Sequence, residues 1–159
     1  MEIKHKKEIE SFERMLSLME QIREECPWDN AQTNDTLRTL TIEEMYELSE
    51  ALLNNDDPNI CKELGDVMMH IIFYSLIGKE KGKFDITDVM DSLSEKLIRR
   101  HPHVFDKNNT WTADEVSKNW EKIKLKEGNR STLSGVPSHL PSLIKAYRIQ
   151  DKARGIGFD

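Results

Sequence analysis

Apolar residues recur along this chain at helical intervals. Between residues 4 and 25, Ile9, Phe12, Met15, Leu16, Met19 and Ile22 trace one face of a helix. Cys26-Pro27 ends it, because proline disfavours helix at the residue before it. A loop is expected from Trp28 to Asp35. A second helix over about 35–54 turns Leu37, Leu40, Met45, Leu48 and Leu52 inward and stops at Asn54-Asn55-Asp56-Asp57-Pro58. A third, about 58–78, starts with Pro58 near its first turn and is apolar at Ile60, Leu64, Val67, Met68, Ile71 and Ile72. Gly78 and Gly82 are expected to break the chain. A fourth helix from Ile86 to Arg100, capped by Asp85, carries Val89, Leu93, Leu97 and Ile98 on one face and ends at His101-Pro102. A shorter helix is predicted over Ala113–Lys126 with Thr112 as cap, then a loop from Gly128 to Pro141 and a last helix over about 142–153. No useful strand alternation and no internal repeat occur. The pattern predicts an all-α helical bundle, its second and third helices an antiparallel pair.

Composition narrows the class. The 159 residues suit one domain, and 37% hydrophobic with 33% charged residues describes a folded, charge-rich helical protein. The longest apolar run, Val67–Ile77, is interrupted by His70 and Ser75 and falls short of the ~18 residues a membrane span needs. The basic N-terminus has no apolar stretch behind it, so no secretory signal is read. Cys26 and Cys61 form no CxxC pair and suggest structural thiols in a reducing compartment. A cytoplasmic protein with no membrane partner is expected. The net charge of −6 divides unevenly: residues 1–95 hold 10 Lys and Arg against 22 Asp and Glu, while residues 96–159 hold 13 against 7. An acidic half suited to cations precedes a basic half suited to anions.

The chemistry lies in Glu43-Glu44-Met45-Tyr46-Glu47 on the second helix and Glu63-Leu64-Gly65-Asp66 on the third. Residues three apart share a helix face, so Glu44 projects with Glu47 and Glu63 with Asp66. Both pairs border apolar stripes and have few lysine partners at helical distance. On an antiparallel pair, four carboxylates converge near one point, at a cost of several kcal/mol unless a cation joins them. Oxygen-only ligands favour magnesium or manganese over zinc. Any single helical Glu is more often an ordinary surface residue; it is the pair of pairs that argues for metal. Gly65 inside a helix costs about 1 kcal/mol and suggests close approach of another helix or a ligand. A carboxylate-bridged di-iron bundle needs Glu-x-x-His motifs. The one match, Glu2-Ile-Lys-His5, lies at the N-terminus away from the acid-bearing helices, where two such motifs would be needed, and His70 is expected in the core.

In this order, Cys26-Pro-Trp-Asp-x-x-Gln-Thr33, Glu43-Glu44-x-x-Glu47, Glu63-x-x-Asp66, Lys96-Leu-Ile-Arg-Arg-His-Pro-His-Val-Phe105, Trp120-Glu-x-Ile-Lys124, Gly135-Val-Pro137 and Gly157-Phe-Asp159 resemble the MazG-type nucleoside triphosphate pyrophosphohydrolases. The resemblance runs almost the whole chain and implies a single module over 1–159, working as a homodimer or higher oligomer. It implies magnesium-dependent hydrolysis of NTPs or dNTPs between the α and β phosphates, releasing a nucleoside monophosphate and pyrophosphate, as in house-cleaning of nucleotide pools. By position, Glu44, Glu47, Glu63 and Asp66 match the metal ligands, with manganese the alternative ion. Lys96, Arg100, Trp120 and Lys124 match nucleotide-contacting residues. Two departures stand out: Asn34 occupies a place where relatives often have an aromatic, and many relatives carry a second module.

The residue chemistry is compatible with these roles. A carboxylate not fully used as a ligand, Glu43 or Glu47, can take a proton from the attacking water. Lys96 and Arg100, four apart, can offset charge on the leaving pyrophosphate, although basic residues at a helix end also serve the helix dipole. Trp28, Asp29 and Gln32 border the nucleotide only if Trp28 is more than a packing anchor. His101 and His103 are read as turn residues. The competing reading is a helical nucleotide-binding or dimerisation module without efficient turnover. Nucleic acid is not an expected partner, because the chain is acidic and triphosphate accounts better for its basic half.

Overall fold

In a computed structural model, the structure describes residues 4–105, 111–112, 115–116, 119, 123, 136–154 and 158. The described residues contain no strand. Residues 1–92 and 93–159 form two compact units.

The first unit is built on three long helices: α1 (Lys6–Glu25), α3 (Asn34–Leu53) and α4 (Asp57–Glu80). Between α1 and α3, where the sequence predicts only loop, Pro27–Asn30 closes one helical turn, α2. Proline at its first position supplies a helical φ and needs no partner for the N–H it lacks. Arg23 holds this turn: its guanidinium donates to the carbonyls of Asp29 and Gln32 and pairs with Glu80, with Nε 2.7 Å from Oε1. It also lies 5.5 Å from the centroid of the Phe73 ring.

Helix boundaries follow from side chains near the ends. Thr33 and Thr36 form a reciprocal capping box at the start of α3. At its end, Asn55 takes a left-handed φ of 52°, and Asn55 and Asp56 donate to the carbonyls of Leu52 and Ala51. That is a Schellman motif with asparagine in the glycine position. Asp56 then caps α4 by accepting from the Asn59 N–H. The second Schellman motif closes α4, with Gly82 at φ 61° and Lys83 donating to the Gly78 carbonyl. The break expected at Gly78 therefore falls at Gly82 alone. Gly78 continues the helix and is needed for room: a Cβ there would lie 2.7 Å from the Phe84 carbonyl oxygen and 2.8 Å from its ring. Asp85 caps α5 (Ile86–Arg100), as expected, by accepting from the N–H groups of Thr87 and Asp88. These bonds hold its carboxyl below the usual range.

Helices α3 and α4 pack against each other, and α1 packs on α4. Pairing of Thr41 with His70 and Tyr74 and of Glu44 with Asp66 makes the α3–α4 pair antiparallel. Met19, Leu37, Ile72, Phe73 and Ile77 form the core, surrounded by Phe12, Met15, Leu16, Leu40, Met69, Tyr74 and Leu76. His70 is buried, as expected, with Nδ1 2.9 Å from the Thr41 hydroxyl. Burial lowers its pKa, so a neutral ring fits the site. The inward stripe of α3 runs Leu37, Thr41, Glu44, Leu48 and Ala51. Met45 and Leu52, expected inward, lie roughly 60–80° off the centre of that stripe and are exposed. Cys26 and Cys61 are free thiols, and Cys61 is exposed rather than packed.

In the second unit, α5 completes its course and Pro102–Phe105 forms a turn of helix, α6. The His103 ring stacks on Trp111 with centroids 5.1 Å apart. Thr112 accepts from the Glu115 N–H while the Glu115 carboxylate accepts from Thr112 N, the expected cap of the helix predicted to follow. Most of that helix lies outside the described residues. The C-terminal helix is Ser142–Arg154.

Candidate metal centre

The acids extend the inward stripes of α3 and α4, with Glu63 buried and Glu44 and Asp66 half-buried. On α4 the inward stripe Glu63, Asp66, His70, Phe73 and Ile77 alternates steps of three and four; carboxylates fill its first two places. Glu44 fills the facing place on α3. One oxygen from each of Glu44, Glu63 and Asp66 lies within 4.8 Å of the others. Glu63 is only 5% exposed, and its Oε2 has no hydrogen-bond partner. A buried carboxylate oxygen without a donor is costly, and a hard cation satisfies it. The donor set, three carboxylates with neither imidazole nor thiolate, suits magnesium or manganese. The Glu44 carboxyl is pushed above the usual range by burial first, and then by Asp66, Glu47 and Glu63. A folded chain that raises a carboxyl's pKa holds like charges together that a cation would relieve.

Glu47 stands outside this trio. It is exposed, and with Glu63 it lines an open cleft of about 520 Å³ whose other walls are Glu50, Ala51, Asn54, Asp56 and Asn59. Glu43 is exposed, beside Glu44 in sequence but not part of the trio. Lys96 and Arg100, in the second unit, are half-buried and one turn apart on α5. Trp120 and Lys124 lie outside the described residues. Trp28 is exposed on α2, and Gln32 donates to the Trp28 carbonyl.

Among the described residues no other helix approaches Gly65: nothing lies within 4 Å of a Cβ built there. The few lysines at helical distance from the acids include Lys62. Lys62 Nζ lies 2.8 Å from Glu63 Oε1 and 3.5 Å from Asp66 Oδ2. The i,i+4 spacing of Lys62 and Asp66 was a readable signal for this pairing.

Residues 32–105 match the family model described as the MazG nucleotide pyrophosphohydrolase domain. Over 155 residues the chain is 37% identical to a nucleoside triphosphate pyrophosphohydrolase of Escherichia coli, covering 93% of this chain and 59% of that protein. The match puts a MazG nucleotide pyrophosphohydrolase domain at residues 32–105. A Thermotoga maritima relative named nucleoside triphosphate pyrophosphohydrolase/pyrophosphatase MazG is 42% identical over 153 residues, covering 93% of this chain and 58% of that protein. The chain thus spans less than two thirds of the length of these MazG relatives. The crystal structure of a mazG-related protein from Thermotoga maritima superposes with a TM-score of 0.62 at 26% identity, covering 71% of this chain and 98% of that one. All three trio acids and Glu47 fall inside the segment matched by the MazG model. Among the described residues, no helix is long and apolar enough to cross a membrane.

Proposed function

We propose that this chain is a nucleoside triphosphate pyrophosphohydrolase that cleaves NTPs or dNTPs between the α and β phosphates, yielding monophosphate and pyrophosphate. The observation that carries the reading is the convergence of Glu44, Glu63 and Asp66, with a buried Glu63 oxygen lacking any donor. The match of residues 32–105 to the MazG nucleotide pyrophosphohydrolase domain supports the reaction class.

In this reading Glu44, Glu63 and Asp66 hold magnesium, or manganese in its place, and Glu47 joins them from the wall of the neighbouring cleft. When bound, the ion supplies positive charge against the phosphate oxygens. Glu47 or Glu43, both solvent-exposed, accepts the proton of the attacking water. Lys96 and Arg100 neutralise charge on the departing pyrophosphate, and Trp120 and Lys124 contact the nucleotide. The working form is a homodimer or higher assembly of one module over 1–159, cytoplasmic, clearing nucleotide pools, without nucleic-acid or membrane partners.

The test is incubation of the purified chain with magnesium and a panel of NTPs and dNTPs, with products separated by chromatography. Monophosphate with pyrophosphate, abolished by EDTA and reduced about 100-fold or more in Glu47→Gln, is the expected result. Nucleotide binding without cleavage would replace this reading with that of a binding module.

A further inference from the structure

The acids of the trio are not left to repel one another, because one cation of the chain already reaches them. Lys62 precedes Glu63 on α4 and places its Nζ 2.8 Å from Glu63 Oε1 and 3.5 Å from Asp66 Oδ2. Its contacts are thus with two of the three acids in the trio. A single ammonium offsets only part of three carboxylates, and Glu63 Oε2 stays without a partner beside it. The Lys62 side chain is 61% exposed, so it can rotate into water without disturbing the core. Glu63, in contrast, is fixed by burial.

We propose that Lys62 is an internal counter-ion of the carboxylate cluster, displaced when a divalent cation enters. This rests on the metal-binding reading above. The physical argument is one of exclusion. An ammonium within hydrogen-bonding reach of Glu63 Oε1 and close to Asp66 would sit a few ångströms from a dication bound by the same groups, and like charges at that distance repel strongly in a partly dry site. Metal entry therefore drives Lys62 outward, and Lys62 in turn lowers the affinity of the empty cluster for metal. The lysine keeps the acids assembled when metal is scarce and sets the concentration at which they fill. Its role is positional, with no contact to the reacting atoms.

The experiment is calorimetric titration of magnesium, and separately manganese, into the full chain in the absence of nucleotide. Wild type, Lys62→Met, Lys62→Gln and Lys62→Arg are compared, with circular dichroism to establish that each is folded. Lys62→Met and Lys62→Gln are expected to bind metal about three- to tenfold more tightly than wild type, and Lys62→Arg to stay near it. The metal-free neutral variants should also melt below metal-free wild type and gain more from added metal. Wild type that binds metal, with neutral variants of equal or weaker affinity, overturns the counter-ion role and leaves the metal site standing. Wild type that takes up no metal at millimolar concentration removes the metal reading and this inference with it.

Discussion

Arg23 and Glu80, 57 residues apart, clasp the end of α1 to the end of α4 through two parallel bonds, Nε to Oε1 at 2.7 Å and Nη2 to Oε2 at 2.9 Å. The same guanidinium serves the carbonyls of Asp29 and Gln32, so one side chain ties three helices and the segment leading to α3. Replacing it with Met, which keeps most of the length but no donor, strands those carbonyls. Arg23→Met should cost about 2 kcal/mol in urea-melt stability, well above the cost of losing an exposed ion pair.

The clasp also predicts a pH dependence. Arg23 holds the Glu80 carboxyl below its ordinary value of 4.5, chiefly through the hydrogen bond. A depressed carboxyl contributes stability that is fully present above the ordinary value and is lost as pH falls through the lower folded one. Glu80 is half-exposed, so the contribution is a fraction of a kcal/mol after solvent screening. Melting temperatures of wild type and Arg23→Met should keep a constant gap from pH 7 to about 5 and narrow slightly below pH 4.5, with the part due to the Asp29 and Gln32 carbonyls remaining.

The trio predicts a stability trade. Magnesium at 100 times its dissociation constant should stabilise the folded chain by about 2.7 kcal/mol, seen as a rise in melting temperature that EDTA reverses. Glu63→Gln should remove most of that rise. Glu44→Gln should do the same yet melt higher than wild type without metal, because it removes the charge of a half-buried carboxyl disfavoured by desolvation first and then by Asp66, Glu47 and Glu63. Equal melting of metal-free Glu44→Gln and wild type would count against that penalty.

The two interior glycines of α4 should respond in opposite directions. Gly65 faces open space, so Gly65→Ala should stabilise the isolated chain by up to ~1 kcal/mol from helix propensity. At Gly78 the added Cβ meets the Phe84 carbonyl, and Gly78→Ala should destabilise by about 2 kcal/mol despite the same propensity gain. If Gly65→Ala gains stability but loses nucleotide affinity, a partner surface or ligand covers that face in the working protein.

What was readable in the chain was periodic. Apolar spacing located the long helices, and the three-residue spacing of the acids was enough to put Glu63 and Asp66 on one face. Caps at Thr33, Asp56 and Asp85 are local chemistry and could be read within four residues. What was not readable depends on contacts distant in sequence. Nothing near Arg23 announces Glu80, and nothing near Gly78 announces that Phe84 will fold back on it. The apolar character of Met45 and Leu52 points them inward, whereas the stripe set by packing on α4 passes through Thr41 and Glu44 instead. The loop Trp28–Asp35 concealed one helical turn because four residues are too few for a period.

Helix α4 divides its work along its length. Its first turns carry Glu63 and Asp66, while Ile72, Phe73 and Ile77 in its later turns hold the core. On the proposed function, chemistry and folding therefore answer to different residues on a single rod. A lineage can lose cleavage through one change in the first turns and still inherit an intact scaffold, free to drift toward another task. For this chain, retention of a fold and retention of a reaction are separately heritable.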